Sequence, residues 1–451
     1  VLVLETNLTY VEKCQVFHYA DLIRKAGNEL TGIMKKRYDQ LVRTKRYRKL
    51  KSLYKKYKDA DNKKALKDVC DQMKEMQKQY DVTWDYCRTL MIPIGKKYGI
   101  DAVFALTKAE DVFHGIEKCL YSDGETIHFK KRGDLPCIRA KQINRGIIMK
   151  QMNFKFKDME FGVNIKDRYE QEEVDAILYY LKNAELMDSI AANTYKETNI
   201  CVSTYRPCYV SLVCKKIRGK LRVYVHITIE GLSKPKQDRF GNFKHSRGSG
   251  IVGCDIGTQT IAYTTETKAG LKNLAERGSS IEVNERKERR IYRAMDRSRR
   301  ATNPDNYNED GTIKKGKKKW TYSNRYKKLR TKHTELCRIN ATNRHLAINE
   351  DVNELRSLGD VFVTEPKNAK KLQKRAKTGK RKKRFGRSIK NRCPGYFQSQ
   401  AKRKFRIYVE VPNDYKASQY DHTSDTYIKK SLSQRMYKLQ DGTMVQRDLY
   451  S

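Results

Sequence analysis

The sequence predicts an α+β fold made of more than one domain. At 451 residues the chain is long enough for about two to four domains that each bury a core. Apolar residues recur at helical spacing from Val11 to about His114, whereas strand-like runs dominate from Gly115 to Gly231 and recur after Gly250. A helical block followed by separate runs of strands is typical of an α+β architecture.

The N-terminal part begins with a predicted strand, Val1 to Tyr10, which leads into a helical module over residues 11–115. Within this module, Arg43 to Lys67 is crowded with Lys and Arg interleaved with tyrosines. We interpret this stretch as a helical surface that binds a nucleic-acid backbone, with tyrosines available for stacking. The alternative is a solvated charged face whose tyrosines belong to the core.

Residues 116–232 form a β-rich segment, and residues 233–250, rich in Gly, Ser, Lys and Arg, are predicted to be a linker. An amphipathic helix is predicted from Asp167 to Ile190, and Lys215 to Lys220 predicts a hairpin turn. The strands predicted here are Thr126–Lys131, Gly146–Lys155, Ile200–Ser203, Tyr209–Lys215 and Leu221–Ile229.

The charge balance points to a polyanionic partner. The chain has 97 Lys and Arg against 53 Asp and Glu, a formal net charge of +44. Such a surplus repels itself in a compact state unless a polyanion neutralises it, and nucleic acid is the natural candidate. Membrane insertion is disfavoured, because no apolar run approaches the ~20 residues that a bilayer span needs. The 11 cysteines are scattered and include no CxxC pair, which favours reduced thiols over a disulfide framework.

An acid stands inside the first apolar run after the linker. Ile251 to Ile256 and Ile261 to Tyr263 read as two strands joined by a tight turn, which places Asp255 on a strand. A strand acid between glycines is costly to bury unless a cation or hydrogen bonds compensate it, and a divalent metal is a common compensation. The alternative is a solvated turn acid.

Two later acids strengthen the metal interpretation. Leu358 to Thr364 is a second buried-strand candidate, and Glu365 follows it directly before Pro366, which stops the ladder. Asp448 follows the short apolar segment that begins at Met444 and is predicted to open a helix. A strand acid, a strand-end acid and a helix-start acid are the three elements from which an RNase H-like fold assembles carboxylates around two metal ions.

These motifs resemble the RuvC-type nuclease domain of TnpB proteins and of compact type V CRISPR effectors. The matching residues are GCDIGT around Asp255, FVTEPKN around Glu365 and QRDLYS around Asp448. Transposases whose acidic trio ends on glutamate are disfavoured by the order Asp, Glu, Asp. The resemblance covers Gly250 to Ser451, whereas the N-terminal half matches the family only in organisation.

The resemblance implies a division into domains. Residues 1–10 and 116–232 would form a wedge β-barrel, residues 11–115 an inserted helical recognition domain, residues 233–250 a linker and residues 251–451 a RuvC-like nuclease domain. The family carries a zinc ribbon at about residues 413–443. The four ligand positions are held here by Asp421, Ser424, Lys438 and Asp441, so we expect no structural zinc. His422, with Asp421 and Asp425, is a weak alternative metal group, and solvent exposure is the favoured interpretation.

The function that the resemblance implies is RNA-guided cleavage of DNA. A guide RNA would pair with target double-stranded DNA next to a short motif, and the displaced single strand would enter a site where Asp255, Glu365 and Asp448 hold two Mg²⁺ ions. The expected location is the cytoplasm of a prokaryotic cell, at the nucleoid when bound to DNA. Two alternatives stay open: a nuclease-inactive RNA-guided DNA-binding protein, and a guide-free RuvC-type nuclease specific for DNA structure.

The origin of the guide, from a transposon end or from a CRISPR array, is open as well. Lys367 to Arg392 carries 14 Lys or Arg and no acid. We interpret this basic tract as a lid or channel wall that orders on nucleic acid, with a nuclear-targeting or disordered tract as the alternative. The sequence begins at Val1 rather than Met, which is compatible with ends that are incomplete.

Overall fold

The computed structural model describes residues 1–122, 124, 126–187, 206–230, 238, 240–257, 260–274, 279–365, 386–412, 419–429 and 434–450. The chain divides into two compact units, Val1–Lys234 and Pro235–Ser451. Both units contain helices and sheets, which confirms the predicted α+β class. No helix among the described residues is both long enough and apolar enough to span a bilayer.

The first unit begins with a short strand and a helical block. The predicted strand at Val1 to Tyr10 is shorter than expected: β1 spans Leu2–Thr6, and Thr9 caps the first helix in a reciprocal box with Glu12. Six helices of this unit have the bounds α1 Tyr10–Arg43, α2 Lys45–Asp59, α3 Lys63–Gln79, α4 Trp84–Lys97, α5 Ala102–Tyr121 and α6 Arg168–Lys182.

The strands of the first unit fall into two sheets. A five-stranded antiparallel sheet has the order β2-β7-β8-β1-β6, and a three-stranded sheet has the order β3-β4-β5. Because β1 pairs with β8, the five helices α1 to α5 lie in the chain between strands of one sheet. The strand bounds are β2 Ile138–Arg139, β3 Ile147–Lys150, β4 Asn153–Phe156, β5 Met159–Phe161, β6 Val163–Asn164, β7 Arg206–Ile217 and β8 Lys220–Glu230.

The strand and turn predictions in this unit have different outcomes. The β7–β8 hairpin turns at Arg218 and Gly219, which both have positive φ, as predicted. The run Gly146–Lys155 is two paired strands, β3 and β4, rather than one. Thr126–Lys131 is wrong as a strand, because the Asn28 side chain of α1 satisfies the backbone N–H and C=O of Lys130. Ile200–Ser203 lies outside the described residues.

One apolar core joins the helices and sheets of the first unit. Tyr19 of α1, Phe104 of α5 and Phe156 of β4 form mutual edge-to-face pairs with ring centroids 5.5–5.9 Å apart. This shared cluster makes the helical block and the β segment one folding unit.

The second unit is built on a five-stranded mixed sheet of order β11-β10-β9-β12-β13. Strands β9, β10 and β11 are antiparallel neighbours, while β12 and β13 run parallel to β9. The strand bounds are β9 Ile251–Ile256, β10 Thr260–Thr264, β11 Ala269–Asn273, β12 Val361–Thr364 and β13 Ile407–Glu410. The helices are α7 Ser279–Thr302, α8 Asn324–Leu358, α9 Gly386–Arg392 and α10 Pro394–Lys404, with a 3₁₀ turn at Pro304–Asn306.

One face of this sheet is covered and the opposite face carries the predicted acids. Cys254 and Phe362 point to the covered face, where they pack with Val352 of α8 and with Phe397 and Phe405 from α10 and its end. Strict alternation along a strand then places the intervening residues on the other face.

Two small hairpins and a short helix end the chain. Their bounds are β14 Tyr420–Asp421, β15 Thr426–Tyr427, β16 Met436–Lys438, β17 Met444–Gln446 and α11 Arg447–Tyr450. Tyr437 packs edge-to-face on Tyr450, and the Tyr450 hydroxyl bonds to His422. These contacts join both hairpins to α11.

Candidate active site

Asp255 lies on the central strand β9, on the face opposite the apolar core. Cys254 and Ile256 on either side of it are buried, whereas Asp255 itself is half-buried. Burial raises the pKa of the Cys254 thiol, and the charge of Asp255 adds to that rise. The turn that follows needs glycine, because a Cβ on Gly257 would lie 2.6 Å from the Thr260 carbonyl oxygen.

Glu365 follows β12 directly, and the register brings it beside Asp255. Thr364 pairs with Cys254 in the parallel ladder, so Glu365 and Asp255 stand one residue further along neighbouring strands. Both are half-buried, and continued alternation past Thr364 would direct Glu365 to the same face as Asp255. Neighbouring strands lie about 4.8 Å apart, so these two carboxylates are the natural neighbours in this site.

Asp360 fixes the opposite end of the same strands. Its carboxylate accepts a hydrogen bond from the Gly250 backbone N–H at 3.2 Å and one from Arg406 Nε at 2.6 Å, and its own N–H donates to the Gly250 carbonyl at 3.0 Å. The Arg406 guanidinium holds the pKa of Asp360 below its usual range. Asp360 therefore aligns the starts of β9, β12 and β13, and so sets the level at which Asp255 and Glu365 emerge.

Asp448 lies in the first turn of α11, as the sequence predicts for a helix-start acid. The Gln446 side chain caps this helix by accepting from the Leu449 N–H at 2.6 Å. Helix α11 contacts β10 and β11, and β10 is the direct neighbour of Asp255's strand. The Asp448 carboxylate accepts from Arg447 Nη2 at 2.9 Å and from Arg435 Nη1 at 2.7 Å.

The three acids therefore occupy the predicted elements, but they are not equivalent. Asp255 and Glu365 are register neighbours, whereas Asp448 is held by two arginines. Among the described residues, the only set of three or more His, Cys, Asp or Glu whose ligand atoms all lie within 4.8 Å of one another is a different one, Glu288 with His333 and Cys337. The joint role of the three acids as metal ligands stays a prediction.

The donor chemistry of this site fits Mg²⁺, a hard cation that prefers carboxylate oxygens. Two adjacent half-buried acids on one sheet face repel each other unless a cation lies between them. Among the described residues, no Lys, Arg or His side chain forms an ion pair with Glu365. Arg435, by contrast, is 61% exposed and can leave Asp448 at little cost, whereas Arg447 is only 14% exposed. Sequence reasoning missed both arginines, although Arg447 directly precedes Asp448.

Side chains at positions where the family carries zinc ligands form hydrogen bonds in this chain. Asp421 is 1% exposed, and its carboxylate accepts from Thr423 N–H at 3.0 Å, Thr423 Oγ1 at 2.6 Å and Gln440 N–H at 3.2 Å. One carboxylate thus connects the two hairpins. Asp441 caps its own turn by accepting from Thr443, and Ser424 bonds to Thr426. The absence of structural zinc stays an expectation from the ligand types.

The basic helical stretch is exposed, but one of its tyrosines is not available for stacking on a ligand. Tyr47 of α2 is fully buried, and Tyr54 and Tyr57 pack against the core. The core interpretation of these tyrosines is therefore the better one. The exposed cations of α2 are Lys45, Arg46, Arg48, Lys49, Lys55, Lys56 and Lys58. Of the basic tract Lys367–Arg392, residues 367–385 lie outside the described residues and the remainder forms α9.

No protein-family model matches the chain, and no curated protein matches it. Solved structures do match. A cryo-EM structure of a Cas12f1–sgRNA–target DNA complex is similar at 10% identity and a TM-score of 0.41, over 94% of this chain and 80% of that chain. A CRISPR–Cas12f ternary complex is similar at 11% identity and a TM-score of 0.26, over 94% and 79% of the two chains.

Proposed function

We propose that this protein is an RNA-guided DNA endonuclease with an RNase H-like catalytic unit, similar to TnpB proteins and compact type V CRISPR effectors. The observation that supports the proposal is the parallel register of β9 and β12: Thr364 pairs with Cys254, and the next residue in each segment is an acid, Glu365 and Asp255. Two acids at the same height on neighbouring segments can bind a cation together. The third acid, Asp448, lies on helix α11, which contacts β10.

The net positive charge of the chain indicates the partners that it binds. A surplus of 44 positive charges needs a polyanion, and α2 presents a row of exposed Lys and Arg on one helix. We propose that guide RNA and target DNA neutralise this positive charge. The first unit, Val1–Lys234, would act as the wedge and recognition part that holds RNA. Guide pairing would read the target sequence, while the protein would read backbone shape and a short adjacent motif.

In the proposed site, Asp255, Glu365 and Asp448 would hold two Mg²⁺ ions. Bound Mg²⁺ supplies activation of water and charge stabilisation of the phosphodiester. Asp255 is central because β9 lies between the strands that carry or contact the other two acids. Arg447 orients the Asp448 carboxylate from its less exposed side. The reaction is hydrolysis: a water oxygen bonds to phosphorus as the bond to the 3′ oxygen breaks, and that oxygen takes up a proton.

Two rival functions predict different outcomes. A nuclease-inactive binder would use the same surfaces but would not need Asp255 and Glu365 side by side, since two adjacent acids repel a nucleic-acid backbone. A guide-free nuclease for DNA structures would leave the exposed cations of α2 without a role.

The test is purification of the full chain from cells that supply RNA, followed by sequencing of the RNA that copurifies and by cleavage assays on a plasmid that carries the matching target. We expect RNA of defined length, and cleavage in Mg²⁺ that EDTA stops. Defined RNA without cleavage would support the inactive binder. Mg²⁺-dependent cleavage of branched DNA without RNA would support the guide-free nuclease.

A further inference from the structure

A second group of metal-ligand side chains lies on the paired helices α7 and α8. Glu288 is on α7, and His333 and Cys337 lie four residues apart on α8, so both point from the same side of that helix. The two helices pack against each other. All three side chains are half-buried, which leaves a path for a small cation.

The distances between the three donor atoms are those of a tetrahedral metal site. Glu288 Oε1 lies 3.3 Å from His333 Nε2 and 3.7 Å from Cys337 Sγ, and His333 Nε2 lies 3.8 Å from Cys337 Sγ. Zinc bonds of about 2.0–2.3 Å at tetrahedral angles put neighbouring ligand atoms about 3.3–3.7 Å apart. The three donors can therefore bind one ion with little movement.

The surroundings hold these ligands in place. The ring of Tyr292 lies edge-on to the His333 ring with centroids 5.6 Å apart, which restricts how the imidazole can turn. One turn away on each helix, Asn284 Nδ2 donates to Asn340 Oδ1 at 2.8 Å and fixes the register of α7 against α8. Rigid helices are better supports for a metal site than loops.

Ligand softness and charge select the metal. A thiolate, an imidazole and a carboxylate suit Zn²⁺, whereas Mg²⁺ does not take sulfur ligands. One thiolate and one carboxylate also balance the charge of a divalent ion. Lys390 Nζ lies 3.9 Å from Glu288 Oε1, but its side chain is 64% exposed and can turn to solvent when the ion binds.

We propose that Glu288, His333 and Cys337 bind one Zn²⁺, with the fourth position open to water, and that this ion clamps α7 to α8. The site uses none of the acids of the proposed nuclease and is independent of that function. Zn²⁺ therefore stabilises the second unit even in a chain that cleaves no DNA.

The experiment uses the metal-free full chain in excess Mg²⁺, which occupies the carboxylate site, and titrates Co²⁺ as a spectroscopic substitute for Zn²⁺. We expect about one Co²⁺ per chain, a near-ultraviolet sulfur-to-cobalt band and displacement by Zn²⁺. Cys337→Ser should remove the band, while His333→Gln and Glu288→Gln should weaken affinity about tenfold or more. Cys70→Ser, a half-buried cysteine of α3, is the matched control and should bind as the wild type does.

Zn²⁺ should also raise the melting temperature of the wild type and of Cys70→Ser, but not that of Cys337→Ser. If Cys337→Ser fails to fold, the affinity of His333→Gln decides. No sulfur-to-cobalt band in the wild type, a band that survives Cys337→Ser, or unchanged affinity in His333→Gln would each overturn the zinc site. The three side chains would then be a hydrogen-bonded contact between two helices.

Discussion

Each of the two five-stranded sheets carries an acid on a strand, and the two acids have different neighbours. Glu5 on β1 is bonded by Arg222 Nη1 at 2.5 Å and faces Lys166 Nζ at 3.7 Å. Asp255 on β9 has Glu365 as its register neighbour, directly after the end of the parallel strand β12. The first sheet thus surrounds its acid with cations, and the second places two acids together.

This difference separates a structural acid from a candidate catalytic one. An acid paired with Arg and Lys is compensated within the protein and contributes modestly to stability. Two adjacent acids repel each other, and the proposed divalent cation would compensate both of them. We therefore infer the role of each acid from the residues beside it and not from its position on a strand.

The largest expected effect follows from removing the charge of Asp255. Asp255→Asn should lower DNA cleavage by more than about 100-fold, because the central carboxylate of the proposed metal site is lost. RNA binding should be retained, and the melting temperature without Mg²⁺ should not fall. The measurements are cleavage rate, copurifying RNA and thermal unfolding.

The matched control is Glu266→Gln, an exposed acid in the turn after β10, which should cleave at the wild-type rate. Cleavage by Asp255→Asn close to the wild-type rate would remove the distinction between the two sheet acids.

A third acid sharpens the comparison, because Asp421 is buried and its carboxylate accepts three hydrogen bonds from Thr423 and Gln440. Asp421→Ala leaves these donors without their acceptor and should cost roughly 2 kcal/mol of local stability. Amide hydrogen exchange in residues 434–450 should therefore be faster by about 30-fold, with cleavage reduced because α11 carries Asp448.

Asp425→Asn, at an exposed hairpin position, is the control and should exchange as the wild type does. If Asp421→Ala exchanged no faster than Asp425→Asn, the connection between the hairpins would have another cause.

The smallest effect is expected from the paired strand acid of the first unit. Glu5→Gln weakens the contacts with Arg222 and Lys166 and should lower the melting temperature by about 2 °C, with cleavage unchanged. Glu160→Gln tests an exposed cross-strand pair with Lys155 and should leave both properties unchanged. A loss of cleavage in Glu5→Gln comparable to that in Asp255→Asn would contradict a purely structural role.

Periodicity predicted the long elements well. The helices between Tyr10 and Tyr121 and the β7–β8 hairpin agree with the sequence, because their patterns are strong and local. The strand at Thr126–Lys131 was wrong, since a side chain 102 residues away satisfies its backbone. Likewise, the pattern of alternating basic and aromatic residues could not show that Tyr47 is buried.

By itself, the sequence determined which acids are candidates and on which kinds of element they stand, because strand alternation and turn signals are local properties. Only the tertiary structure decided their neighbours: that Glu365 aligns with Asp255, that Arg435 and Arg447 hold Asp448, and that His333 and Cys337 meet Glu288. Neighbours across strands and helices are set by register and packing over long separations in the chain, which no local pattern encodes.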